Sequence, residues 1–402
     1  MEDNIMHKAY IFDEIIERHG TNSLKYDLAS KRGMPDGILP FWVADMDFKS
    51  PPEVLEALSE RVQHGIFGYS DALDESYFNA LFKWYSNRFG WHIRPEWIVK
   101  SPGVVFAICT AIRALTKPGD AVMIQQPVYY PFENSVKDND RRLIVNQLLY
   151  SNGRYNMNLE EFERLIVEKN VRLFILCNPH NPVGRVWTRE ELVRVGDICA
   201  RYGVYVISDE IHQDFVYPGY RHQVFASLKP EYADITITCT APSKTFNLPG
   251  LQISNIFISN ETIRRLFVRE LKKTGYSQPN VMGMIACQAA YEKGSEWLDQ
   301  LIGYLTGNLS LTRDFIRNEL PVVDLVEPEG TYLIWLDFSK YGLSDRELER
   351  ILVYKAKLWL SSGHSFGAGG HGFQRMNIAC PRAVLQTGLN RLKEAFSDFT
   401  CS

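Results

Sequence analysis

The chain has 402 residues, more than one hydrophobic core usually holds, and 45% of them are apolar, so a large domain with a smaller companion is expected. Charged residues make up 23% and the net charge is -4, with acids and bases interspersed, which argues against a basic nucleic-acid groove or a charged interaction tail. The N-terminal MEDNIMHKAYIFDEI lacks the apolar stretch of a signal peptide, and no run reaches the roughly 18 apolar residues of a membrane span, so a soluble, cytoplasmic protein is expected.

The first strong pattern is PEVLEALSERVQH (52–64), which opens on proline and repeats apolar residues at helical spacing; ESYFNALFKWYSNRFG (75–90) repeats the pattern and predicts a second helix. Short β-branched runs then alternate with helical stretches. IVKSPG precedes VVFAICTAIRALTKPGD, AVMIQQ precedes a loop and helix, RLIVNQLL precedes EEFERLIVEKN, VRLFILC precedes TREELVRVGDICARYG, and VYVIS and DITITCT follow. Parallel neighbours need crossover connections, so this order predicts an α/β domain with a mainly parallel sheet between helices. Further on, ETIRRLFVRELKKTG and QAAYEKGSEWLDQLIGYLTGNLSLTRDFIRNEL read as long helices, TYLIWLDF as a strand and DRELERILVYKAK as an amphipathic helix. The expected division is a large domain over residues 51–290 and a smaller α/β domain built from both chain ends, 1–50 and 291–402.

Seven cysteines, at 109, 177, 199, 239, 287, 380 and 401, stand singly without a CxxC pair, and the histidines lack the i, i+4 spacing of a zinc helix. Reduced thiols and no metal site are expected. His7, His19 and His64 fall in charged, solvated stretches.

In an open parallel sheet, ligands gather at the carboxyl ends of the strands. Four predicted strands end in polar sequence there: AVMIQQ in PVYYPF, VRLFILC in NPHNPVG, VYVIS in DEIHQDF, and DITITCT in APSKTF. Lys244 of the last is a candidate amine for condensation with an aldehyde and for proton transfer, although read alone it is also a strand-end surface lysine. Asp209 follows an apolar run, where a carboxylate needs a cationic or hydrogen-bonding partner; a protonated heterocycle nitrogen suits it, and so does a turn cap. Glu210, its neighbour, points the other way and reads as structural. Asn181, between two prolines, offers an amide to a ligand oxygen or simply a turn. Tyr129, preferred over Tyr130, offers either a ring to stack on a planar ligand or a core side chain. In SPGVVFAI the amides of Gly103, Val104 and Val105 open a predicted helix and are free for a phosphate, with Ser243 as a further candidate beside the lysine. Arg375, in the glycine-rich GHSFGAGGHGFQRMNIACPR, suits a carboxylate clamp or a structural ion pair, whereas His364 and His371 read as loop residues.

Taken in order, SPGVVFAI, PVYYPF, NPHNPVG, SDEIH, SKTFNLPG and GFQRMN resemble the pyridoxal-phosphate enzymes of the aspartate-aminotransferase fold over nearly the whole chain, and FWVADMDF, GYSD and GGHGFQRMNIACPR resemble its cystathionine β-lyase, or C-S lyase, subgroup. The resemblance implies a seven-stranded sheet and pyridoxal 5'-phosphate bound covalently at Lys244. It also implies Asp209 at the pyridine nitrogen, Asn181 at the ring hydroxyl, Tyr129 on the ring face, and Gly103, Val104, Val105 and Ser243 at the phosphate. Arg375 would bind the substrate carboxylate, and Tyr69, in FGYSD, would reach the neighbouring site of a homodimer. Two positions depart from the aminotransferase pattern: His212 stands where many have tyrosine, and Gln252 where they often have a phosphate-binding arginine. His212 is accordingly a candidate for tuning the ring or a structural histidine. The expected activity is α,β-elimination from cystathionine or a cysteine S-conjugate, with Lys244 as base and Lys244 or Tyr69 protonating the thiolate. Amino transfer to a keto acid and a cofactor-binding regulatory role through a protein partner are the alternatives, and substrate choice is expected to depend on residues such as Tyr69 and Tyr332.

Overall fold

The computed structural model describes residues 8–70 and 74–399. Local signals set the element ends. The helix Pro52–His64 begins on proline, whose missing N–H costs nothing in a first turn, and stops at Gly65, which takes φ 76°. The helix Glu75–Phe89 is capped by the Asp74 side chain, which accepts from the Tyr77 amide, and ends at Gly90 with φ 65°. Thr188 and Glu191 exchange hydrogen bonds as a capping box at the start of Arg189–Tyr202. The expected helix in DRELERILVYKAK is shorter than its periodicity implied: the α-helix ends at Arg350 and a π-helical turn, Ile351–Lys355, follows.

Thirteen of the strands frame the site. They are β1 (Leu39–Pro40), β2 (Ile98–Ser101), β3 (Ala121–Gln126), β4 (Arg142–Gln147), β5 (Val171–Cys177), β6 (Tyr205–Asp209), β7 (Thr236–Thr240), β8 (Ser254–Phe257), β9 (Asp324–Val326), β10 (Leu333–Asp337), β11 (Leu358–Trp359), β12 (Ser361–Ser362) and β13 (Phe373–Asn377). Seven of them form one sheet in the order β2-β8-β7-β6-β5-β3-β4. Only β8 runs against its neighbours, antiparallel to both β2 and β7. Two reversals cancel, so β2 points the same way as β7 and its carboxyl end reaches the same edge as those of β3, β5, β6 and β7. The helix Val104–Leu115 buries Val104, Ala107, Ile108, Ala111 and Ile112 in a cluster with Ile124, Ile175, Ile207 and Ile237 of the sheet. Burying the valine and isoleucine side chains, at about 1.5–3 kcal/mol each, fixes the floor from which the strand-end loops project.

A second, antiparallel sheet has the order β9-β10-β13-β12. The N-terminal segment joins this part of the chain: β1 pairs in parallel with β11, and the side-chain amide of Asn377 donates to the carbonyls of Val43 and Asp45 at 2.7 and 2.6 Å. Residues 42–48 thus form a strap between the two sheets. Arg18 holds it from outside, 2.6 Å from both Asp45 and Asp47, while Lys25, only 1% exposed, lies 2.7 Å from Asp47. No helix among the described residues is long and apolar enough to cross a membrane.

Candidate active site

At the carboxyl edge of the large sheet, the strand ends enclose a cavity of about 220 Å³. Gly103 comes from the loop after β2 and Val104 and Val105 from the helix it opens, Tyr129 follows β3, Asn181 follows β5, Asp209 ends β6 with His212 just beyond, and Ser243 and Lys244 follow β7, all on its wall. The first turn of Val104–Leu115 opens there, and an added side chain at Gly103 would project into open space. Gln252, at φ 48°, occupies the wall where the family pattern often has arginine. Arg375 stands just behind the lining: its Nη1 donates to Asn181 Oδ1 at 3.0 Å, and its Nη2 to the Trp42 carbonyl and the Ser361 hydroxyl at 2.8 and 3.1 Å. The guanidinium is 4% exposed, and its Nε has no partner among the described residues.

Burial sets the protonation of these groups. The Lys244 amine is lowered to about 8 because burial disfavours the ammonium; the Asp45 carboxylate opposes that, Arg375 adds to it, and Asp209 opposes it weakly. Burial raises the Asp209 carboxyl to about 7, offset by the Ile211 amide that donates to it at 3.2 Å. Neighbouring Glu210 raises it further. His212 is held down to about 3 by burial and by the charges of Lys244 and Arg375, so it stays neutral, and its buried Nδ1 has no partner among the described residues. Glu210 faces away, bonded to Ser208, His222 and the Phe225 amide, as its position in the strand implied.

Backbone chemistry carried parts of the site that no side-chain motif revealed. Lys244 Nζ donates to the carbonyl of Ala44 at 2.8 Å, and the Tyr332 hydroxyl donates to the same carbonyl at 2.9 Å. Asn247, three residues after the lysine, pins the strap: its Oδ1 accepts from the Met46 amide at 3.0 Å, and its Nδ2 donates to the Met46 and Phe48 carbonyls at 3.0 and 2.9 Å. The cavity wall also includes Cys177, the last residue of the apolar run VRLFILC. Tyr69 is not brought to this cavity within one chain; it is 96% exposed. His364 and His371 are exposed, as expected of loop residues. Cys109, Cys177, Cys199, Cys239, Cys287 and Cys380 are free thiols; Cys401 and His7 lie outside the described residues.

A parallel-sheet edge carrying a half-buried lysine, a buried aspartate and an arginine behind an asparagine defines the class of protein: the chain belongs to the aminotransferase class I and II family, whose profile matches residues 37–392. Within it, the chain is 47% identical over 386 residues to cystathionine beta-lyase PatB of Bacillus subtilis (strain 168), a match covering 96% of this chain and 100% of that protein. The crystal structure of cystalysin from Treponema denticola, which contains a pyridoxal 5'-phosphate cofactor, superposes with a TM-score of 0.95 at 39% identity, over 98% of this chain and 100% of that one. The pyridoxal-phosphate-bound C-S lyase of Staphylococcus hominis superposes with a TM-score of 0.90 at 34% identity, over 96% of this chain and 98% of that one.

Proposed function

We propose that this protein is a pyridoxal 5'-phosphate-dependent C-S lyase that cleaves cystathionine or a related cysteine S-conjugate by α,β-elimination to a thiol, pyruvate and ammonia. The observation that carries this reading is the convergence of Lys244, Asp209 and Asn181 on one cavity, with Arg375 bonded to Asn181 behind it. The 47% identity to a named cystathionine beta-lyase supports elimination over amino transfer.

The residues present fit the cofactor. Asp209 is a 5% exposed carboxyl with no ion pair among the described residues, a cost that a protonated ring nitrogen relieves. The amides of Gly103, Val104 and Val105 open a 12-residue helix and, with the Ser243 hydroxyl, would hold the phosphate. The half-buried Tyr129 would cover one ring face, and neutral His212 would line the site without adding charge. Asn181 gives its Oδ1 to Arg375 and keeps its amide N–H₂ for the ring hydroxyl. Lys244 would hold the cofactor covalently. When bound, pyridoxal phosphate supplies an electron-withdrawing ring conjugated to the substrate Cα.

This chain's own residues do the rest. Arg375 has one free Nε and a rigid guanidinium with which to fix the substrate α-carboxylate. The Lys244 amine, lowered to about 8, has a minor neutral fraction at physiological pH, far larger than that of an ordinary lysine, and that neutral form takes the Cα proton, with the Ala44 carbonyl orienting it. The Cβ–S bond then breaks and the sulfur leaves as thiolate, protonated by Lys244 or by Tyr69 of a neighbouring copy. Support for that second copy comes from the apolar run Ile66, Phe67 and Tyr69, exposed by 65, 55 and 96%, next to exposed Leu55 and Val62 on the preceding helix. The proposed division of labour is a cofactor-binding domain over residues 51–290 and a smaller domain from the two chain ends that carries Arg375.

Holoprotein incubated with L-cystathionine and no keto acid is expected to release thiol and pyruvate in equal amounts, and Lys244→Ala to release neither. Amino transfer that requires a keto acid, without thiol release, refutes the assignment.

A further inference from the structure

A second cavity, of about 360 Å³, adjoins the first. Arg375 links them: its Nη1 donates to Asn181 of the first, and its Nη2 to the Trp42 carbonyl and the Ser361 hydroxyl of the second. On another side Tyr129 lines the central cavity and Tyr130 the second, their ring centroids 5.5 Å apart. A substrate fixed by its carboxylate at Arg375 therefore lies one layer of side chains from this space.

The second cavity presents both signs of charge around an aromatic stem. Trp42 and Trp359 stack with centroids 4.4 Å apart, and the Arg32 guanidinium lies 5.2 and 5.8 Å from their rings. No carboxylate among the described residues pairs with Arg32, although the side chain lines the cavity. Glu349 lines it too, with a carboxylate oxygen 3.7 Å from Nδ1 of His364. Gln374 is 1% exposed, lines the same cavity, and has a buried amide nitrogen with no hydrogen-bond partner among the described residues. A buried amide donor left without an acceptor is costly, so a ligand acceptor is the natural partner for it. An amide donor, a guanidinium, a carboxylate and a stacked indole pair together match a carboxylate and an ammonium on a short apolar stem.

We infer that this cavity is a specificity subsite for the distal α-amino-acid end of a thioether substrate. Arg32 and Gln374 receive its carboxylate, Glu349 its ammonium, and the Trp42 and Trp359 rings its methylenes. The identity of the ligand rests on the elimination reading above; the recognition chemistry rests on the second cavity alone.

The test compares L-cystathionine, which carries a second amino-acid head, with S-ethyl-L-cysteine, which does not. In the holoenzyme, Arg32→Met and Glu349→Gln are each expected to lower the ratio of kcat/KM for cystathionine to that for S-ethyl-L-cysteine by about tenfold, through KM, as losing one charge-assisted contact does. A ratio within about twofold of the unsubstituted enzyme for both variants overturns the subsite. Calorimetric titration of L-cystathionine into Lys244→Ala and Lys244→Ala/Arg32→Met protein separates this inference from the lyase reading. If the unsubstituted enzyme releases no thiol from either compound, the elimination reading fails, and cystathionine affinity that depends on Arg32 still upholds the subsite. Affinity that is absent or independent of Arg32 overturns it.

Discussion

Replacing Asp209 by asparagine should make the cofactor-free protein more stable while disabling the enzyme. The carboxyl is 5% exposed, and its folded-state value of about 7 stands well above the 3.8 of a free aspartate. A group raised in this way binds more protons folded than unfolded between those two values, so its ionisation opposes folding, increasingly so from pH 3.8 to 7 and by a constant amount above. At pH 8 the cost is about 4 kcal/mol, and at pH 5.5, where only part of that interval has been crossed, about 2 kcal/mol. Asparagine has nearly the same shape and retains an oxygen for the Ile211 amide, which donates to Asp209 at 3.2 Å, so it removes the charge with little else. Urea unfolding of cofactor-free protein, followed by tryptophan fluorescence, should show Asp209→Asn gaining roughly 4 kcal/mol at pH 8 and roughly half of that at pH 5.5. The loaded variant should lose about 100-fold or more in elimination rate, because a neutral amide does not hold a ring nitrogen protonated. A variant that is less stable than the parent at pH 8, or a gain that does not shrink as the pH falls, refutes the reasoning.

Two further outcomes follow from the lysine and its strap. Capture of pyridoxal phosphate by cofactor-free protein requires the neutral Lys244 amine, so the rate should climb about tenfold per pH unit below 8 and level off above it; stopped-flow absorbance that is flat from pH 6.5 to 9 would contradict the lowered amine value. Asn247 makes three hydrogen bonds to residues 46 and 48 from a backbone at φ 57°. Asn247→Gly should cost about 2–3 kcal/mol through the lost bonds, and Asn247→Ala about 1 kcal/mol more because alanine resists that conformation; thermal and urea unfolding that place both variants within about 0.5 kcal/mol of the parent would remove the strap's proposed anchoring.

Sequence was most informative where the physics is local. Proline at the first helical position, glycine just past the last, and β-branched runs ending in polar residues announced the helices Pro52–His64 and Glu75–Phe89 and the edge that gathers Asn181, Asp209 and Lys244. The reversal of β8 was not legible, because an antiparallel strand in a buried sheet has the same apolar composition as a parallel one. Nor was the role of Ala44, whose contribution is a carbonyl that any residue possesses. The periodicity in DRELERILVYKAK cannot distinguish an α-helix from one that widens into a π-turn after Arg350. Tyr69 lies at the opposite extreme: it is exposed in a single chain, and one sequence contains no direct record of the intermolecular contact proposed for it.

The strap has a further consequence, in the order of events during synthesis. Trp42 and Arg375 meet across 333 residues, and Ala44 and Lys244 across 200. Every strand of the large sheet has left the ribosome once Phe257 emerges, yet β13, which carries Arg375 and Asn377, comes more than a hundred residues later. Long-range closure of this kind is slow, since the loop entropy is lost before the contacts form. The nascent chain can therefore build the sheet and its lysine loop long before residues 42–48 find their final partners, and the carboxylate clamp is the last part of the pocket to exist.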